Sequence, residues 1–432
     1  MDKSFNINSK NIHTIAYLVI FIFLSLIRCP LFSQERAHDL RFANIDRYAR
    51  FTPPEFERSV EMLARYLMDG AENDAEKVRA FYVWIANNIS YDTKSYFRRQ
   101  YPDQSPQAVL KRRTAVCIGY ANLFKRFCDI ANFPCIEISG FSKGYGTNPA
   151  IIPEENNHIW NAVQVNDQWR LIDAAWASGY INKKRQFVKR FSAFYFFPDP
   201  DEFIFTHFPS NYRYQLLLIP KSKEEFLDPL IRASEWFEYG LKAVSPRKSM
   251  IIDDKPFTIR IKTPDNVDLA VKLTQSLQTF DDSYTFVQRR DSISEISVNF
   301  PRNDVYMLKI FVKYKADSGL FNYAGEYWLD IRNMKRSAGV FPIPFKTFYD
   351  QNGYLYDPLK IIERQKGDKI IDISVPAADK IAFERNKRWI YFEKSADGIF
   401  KGRIPNLSED IIVYALFPGE TKFQALLKFT DR

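Results

Sequence analysis

Apolar positions recur at helical spacing over residues 58–69, where Val60, Leu63, Ala64, Leu67 and Met68 share one face. A second helix is predicted after a cap at Asp74, with Val78, Phe81, Ile85 and Ile89 aligned. Ser105-Pro106 reads as an N-cap followed by proline at the first helical position, opening a short helix through Arg112. Thr114 reads as the cap of a further helix that sets Cys117, Ala121, Phe124 and Cys128 along one side. The period then falls to two. Cys135 to Phe141 reads as a strand running into the Gly144–Gly146 turn, and a loop rich in Asn, Pro and Glu follows. Next comes a hairpin: His158–Val165, the two-residue turn Asn166-Asp167, and Gln168–Trp176.

From about residue 250 the texture is one of short alternating strands between turn residues, such as Phe257–Lys262 and Tyr306–Tyr314. The pattern repeats. Thr263-Pro264 followed by Val267-Asp268-Leu269-Ala270 resembles Val375-Pro376 followed by Asp379-Lys380-Ile381-Ala382, at an offset of 112. Each copy ends in an aromatic-rich strand, Tyr327–Ile331 and Phe423–Phe429. A period of that length suits tandem β-sandwiches rather than a solenoid. The predicted fold class is α+β: a mixed core over residues 36–229, then two antiparallel β-sandwich domains at 230–332 and 333–432.

Residues 1–33 stand outside this scheme. Lys3 and Lys10 precede an apolar run from Ile15 to Ile27, and Ser33 offers a small residue before Gln34. A bilayer span needs about 20 apolar residues, so the run reads as a signal segment and the chain as exported, periplasmic or secreted, with an N-terminal membrane anchor as the alternative. Removing these residues, with three basic and one acidic side chains, takes the formal charge from +9 to +7. That charge is diffuse, with no basic stripe interleaved with aromatics, which argues against a nucleic-acid partner. Three cysteines remain, Cys117, Cys128 and Cys135. An odd number leaves at least one thiol outside any intramolecular bridge, and a Cys128–Cys135 pairing stays open. Their spacing fits no zinc pattern, so neither metal nor cofactor is expected.

A thiol attacks as thiolate, and a helix N-terminus and a neighbouring imidazolium both favour that anion. Cys117 is placed near such a terminus, whereas Cys128 reads as a packing thiol. If Asn166-Asp167 forms a two-residue turn, Trp160 faces Asp173 and His158 faces Ala175, all on one face of the sheet. His158 and Asp173 then become diagonal neighbours about 7 Å apart or less at Cβ. A carboxylate there fixes the tautomer of the imidazole and leaves its other nitrogen for Cys117. His38 lies in the segment after cleavage. His207, without a comparable carboxylate strand beside it, reads as a satisfied structural histidine. His158 is the expected base.

These residues resemble the transglutaminase-like superfamily, in which the order along the chain is Cys, His, Asp. The matching segments are Arg113-Thr114-Ala115-Val116-Cys117-Ile118-Gly119-Tyr120-Ala121, Asn157-His158-Ile159-Trp160-Asn161-Ala162-Val163 and Trp169-Arg170-Leu171-Ile172-Asp173-Ala174-Ala175-Trp176. Ser139 through Gly146 and Phe197 through Pro209 are similar to the kyphoscoliosis-peptidase-like branch. Tyr214 stands where that branch often has Trp, and the hairpin turn lacks a common glycine. The resemblance implies a papain/transglutaminase-like core and a cysteine acyl enzyme acting on a protein or peptide substrate, with hydrolysis favoured over transamidation. It makes Cys117, His158 and Asp173 the candidate catalytic set, and Trp84, Tyr91 and Trp160 candidate substrate-binding residues. Trp84 and Tyr91 are also candidates for the second oxyanion donor beside the Cys117 N–H. Some relatives have lost triad residues, so the alternative is a silent scaffold whose sandwiches bind a cell-envelope partner.

Overall fold

The computed structural model describes residues 41–146, 155–182, 184–227, 230–245, 250–252, 257–276, 278–332, 340–357, 368–405 and 410–430. The expected signal segment, residues 1–33, lies outside them. The chain divides into two compact units, Met1–Ala43 and Asn44–Arg432, and the elements below all belong to the second. Among the described residues no helix is long and apolar enough to cross a membrane.

Helix α1 (Val60–Asp69) starts where the Ser59 hydroxyl accepts from the Met62 N–H. Helix α2 (Asp74–Asn88) is capped one residue before the expected position, because the Asn73 side chain accepts from the Glu76 N–H. Its run from Val78 to Ala86 is buried on every side, as befits a central helix. Helix α3 (Cys117–Ile130) begins later than the sequence pattern suggested. Thr114-Ala115 is not its cap but a short strand paired in parallel with Ser90-Tyr91, and Val116 is the N-cap.

Strands β1 (Cys135–Ser142), β2 (His158–Val165), β3 (Gln168–Ile172) and β4 (His207–Pro209) form an antiparallel sheet in the order β3-β2-β1-β4. Asn166 and Asp167 have φ of 51° and 60°, the left-handed pair that a tight hairpin turn requires. The register matches the one expected, from Val165↔Gln168 to Asn161↔Ile172. The second strand, however, stops at Ile172. The Asp173 carboxylate accepts from the Trp176 N–H and caps the short helix α4 (Ala174–Ala177), so Asp173 and Ala175 are not ladder partners of Trp160 and His158. Cys128 and Cys135 are buried free thiols in hydrogen-bond contact, not a disulfide.

Downstream lies a β-rich region. In the first sandwich Lys242–Ser245, Phe257–Lys262, Ile293–Val298 and Thr285–Arg290 form one sheet in that order. The facing sheet runs Met250–Ile252, Asn322–Ile331, Val305–Tyr314, Val267–Gln275, Gln278–Thr279. Ile259, Ile296, Leu308, Ile310 and Tyr327 meet between the two sheets. In the second sandwich Tyr354–Asp357, Lys369–Ser374, Ile399–Ile404 and Glu393–Lys394 face Ile343–Pro344, Gln424–Phe429, Ile411–Leu416, Lys380–Arg385 and Arg388–Tyr391. The offset of 112 seen in the sequence carries Phe257–Lys262 onto Lys369–Ser374, and each strand occupies the same place in its sheet. One departure from a purely antiparallel plan is Met250–Ile252, which pairs in parallel with Asn322–Ile331.

Candidate active site

Cys117 is the first residue of α3, so its own N–H and that of Ile118 have no partner within the helix, whereas the N–H groups of Gly119 and Tyr120 already donate to the Val116 carbonyl. The macrodipole acts most strongly at this position, and it favours an anion there. The pairing of Tyr91 with Ala115 brings the Tyr91 side chain to the same spot, where it hydrogen-bonds the Cys117 sulfur. Burial, and then the neighbouring thiol, push the Tyr91 phenol well above its ordinary value, so it remains a proton donor.

His158 opens β2 and is only 6% exposed. Its Nε2 lies 2.6 Å from Asp173 Oδ2, and its side chain also hydrogen-bonds Cys117, which leaves Nδ1 as the nitrogen facing the sulfur. The early end of β3 matters here as well. Past Asn161 the outer edge of β2 has no strand beside it, and the Ile159 N–H donates to the Cys117 sulfur. Burial opposes ionisation of Cys117, yet His158 and that N–H outweigh it and hold the thiol below its ordinary value. Burial likewise lowers the affinity of His158 for a proton. Asp173 and Cys117 reverse this, and the imidazole is pushed up to about 10. Both shifts favour a thiolate–imidazolium pair at neutral pH.

Asp173 is 1% exposed, and its burial disfavours charge. It stays ionised, well below the usual carboxylate range, because three donors converge on it. These are His158 and His207 through Nε2 at 2.6 and 3.0 Å, both on Oδ2, and the Trp176 N–H at 2.9 Å on Oδ1. His207 was expected to be structural and apart from any carboxylate; the structure joins it to Asp173. Burial pushes the His207 imidazole down to about 4, so it is neutral and donates from Nε2. Its Nδ1 accepts from the Thr206 hydroxyl at 2.8 Å. Phe203 stacks on the ring at 3.9 Å and 11°. The motif Thr206-His207-Phe208-Pro209 was visible in the sequence, but its partner lies 34 residues upstream. The donor atoms of His158, Asp173 and His207 fall within 4.8 Å of one another, a spacing that a metal ion could bridge. Here the two nitrogen–oxygen separations are hydrogen-bond lengths.

The candidate substrate-binding residues separate. Tyr91 lines a cavity of about 760 Å³ together with His158 and Trp176. Trp84 does not. It is fully buried in α2, its indole N–H donates to Glu57 at 3.0 Å, and the Arg113 guanidinium covers its ring. It therefore cannot supply an oxyanion donor. Trp160 is also buried, stacked at 24° on His158 and edge-on to His207, so it supports both imidazoles from beneath and touches no ligand space.

Residues 61–174 match the model of the transglutaminase-like superfamily, and residues 223–342 that of the KY-like, immunoglobulin-like domain. Mouse kyphoscoliosis peptidase is 30% identical over 268 residues, covering 61% of this chain and 39% of that protein. Drosophila melanogaster hillarin is 26% identical over 301 residues, 63% of this chain and 36% of its own length. A solved TGase is 20% identical, covering 42% of this chain and 41% of that one, with a TM-score of 0.22. The chain thus spans about two fifths of the length of these curated relatives. The chain carries a transglutaminase-like domain and a KY-like, immunoglobulin-like domain, and it is homologous to kyphoscoliosis peptidase and hillarin.

Proposed function

We propose that this chain is an exported cysteine enzyme that opens amide bonds of peptides, or of glutamine side chains, through a thioester. The Cys117 thiolate adds to the carbonyl carbon. The tetrahedral intermediate then expels the amine, which takes its proton from the His158 imidazolium. His158 next removes a proton from water, which attacks the thioester carbon, releases the acid and returns the sulfur as thiolate. An amine in place of water gives transamidation; hydrolysis is the favoured outcome. The Cys117 N–H and the Tyr91 hydroxyl are the proposed oxyanion donors. Export rests on the apolar run Ile15–Ile27, and N-terminal sequencing that finds Gln34 first would support it.

The observation behind this reading is the unbroken hydrogen-bonded series Cys117–His158–Asp173. The test is alkylation with iodoacetamide from pH 4 to 9, alongside Cys117→Ala and His158→Ala. An enzyme gives fast labelling of Cys117 below pH 7 that collapses in His158→Ala. Labelling that rises only near the free-thiol pKa of ~8.5 would instead favour a scaffold.

A further inference from the structure

The cavity that begins at His158 does not end within the core. Its far wall is the first sandwich, and the way that wall is built can be followed strand by strand. In Val305–Tyr314 the side chains of Leu308, Ile310 and Val312 enter the sandwich core, so Lys309 and Phe311 point the other way. The partner strand, Asn322–Ile331, would carry Tyr323 inward in phase with Tyr327. A bulge intervenes: Ile310 pairs with Gly325, but Phe311 pairs with Tyr323. The extra residue reverses the phase and turns Tyr323 outward beside Phe311, the rings 6.0 Å apart and edge-on. Both line the cavity, as do Phe321 ahead of them and Tyr180 and Phe187 from the core.

The charges on this wall are matched among themselves. Lys309 lies 3.9 Å from Glu326, which also accepts from the Trp328 indole at 2.8 Å. Arg190 of the core pairs with Glu235 and reaches Asn322 at 3.4 Å, fastening the sandwich to the core at the edge of the cavity. Aromatic surface remains as the feature open to a ligand: Phe321 is 38% and Tyr180 49% exposed.

Building on the proposed function, we infer that the first sandwich is the second wall of the substrate cleft, and that Phe311, Phe321 and Tyr323 form a subsite for an aromatic side chain of an extended polypeptide, flanking the bond presented to Cys117. The volume, about 760 Å³, lies within the range that encloses a ligand of several residues. Among the described residues, none of the second sandwich lines it.

Two pairs of thiol-directed peptides test the assignment on the full chain: tripeptides of alanine or phenylalanine bearing a C-terminal chloromethyl ketone, and the same tripeptides bearing an N-terminal chloroacetyl group. The two sets reach the two sides of the reacting bond. In the native protein the phenylalanine probe labels Cys117 roughly tenfold faster than its alanine counterpart in at least one set, a preference matching the burial of one aromatic ring. In Tyr323→Ser, and in Phe321→Ser on the exposed rim, the ratio within each variant falls to within about twofold of one. Equal rates for both peptides in both sets, or a preference that survives both substitutions, would overturn the subsite. Slow iodoacetamide labelling of the native thiol at pH 6 would instead overturn the reading of the core, and this inference with it.

Discussion

Asp173→Asn puts the electrostatics of the site to a quantitative test. The substitution keeps the volume and removes the charge toward which His158 and His207 both point. The orientation that preserves an acceptor for the imidazoles turns the new amide nitrogen toward the Trp176 N–H, which now lies 2.9 Å from a carboxylate oxygen. The opposite orientation makes His158 present a lone pair at Nε2 and moves its proton to the nitrogen facing Cys117. Either way, burial acts on the imidazole without a counter-charge, and burial alone pushes it below its ordinary value. The thiol then loses its cation. A free thiol of pKa ~8.5 holds about one part in 300 as thiolate at pH 6, so alkylation at that pH falls by up to roughly 300-fold, about 3 kcal/mol. Second-order rates with iodoacetamide, read by mass spectrometry at pH 6 and pH 9.5, check this. The variant should approach the native rate at pH 9.5, where an unassisted thiol ionises. A rate at pH 6 within threefold of native would refute the argument, provided that far-UV dichroism shows the fold retained.

Three further outcomes are expected. Gly140 pairs with His158 on one side and Pro209 on the other, and a Cβ there would lie 2.2 Å from the Phe208 carbonyl oxygen and 2.8 Å from the Trp160 ring. Gly140→Ala should therefore cost about 1–3 kcal/mol in chemical denaturation and abolish fast labelling of Cys117. His207→Phe keeps the stack on Phe203 but takes one of three donors from a buried carboxylate, a loss of about 1–3 kcal/mol in thermal or urea unfolding, and His207→Gln, which retains a donor, should recover part of it. The raised pKa of His158 means the folded state holds a proton that the unfolded state releases near 6.5. Its stabilising contribution is fully present below that pH and disappears as pH rises through about 10. The unfolding temperature should fall more steeply between pH 8 and 10.5 in the native protein than in His158→Gln.

The hairpin was legible because a two-residue turn and a period of two admit one register, and Asn166 and Asp167 adopt the backbone that this turn requires. What the register could not show was where the ladder stops. Asp173 is followed by Ala-Ala-Trp, and its carboxylate is better satisfied capping a helical turn than extending a strand. The start of α3 was misplaced for a different reason. Thr114 has the chemistry of a cap, but its backbone is engaged by Ser90, 24 positions upstream, and no local pattern announces a parallel pairing. Trp84 was a candidate ligand contact and oxyanion donor; its N–H is instead used by Glu57. His207 was set aside because its carboxylate comes from another strand's end. In the last three cases the missing information was a partner distant in sequence.

Gly140 has one more implication, concerning when the site is completed during synthesis. The strand that holds it is flanked by one segment bearing His158 and another bearing His207, and the absence of a side chain lets both close in. Cys117 is translated some 90 residues before the last of these. A nascent polypeptide therefore lacks the third donor to Asp173, and the outer strand that closes over Gly140, until Pro209 has left the ribosome and docked.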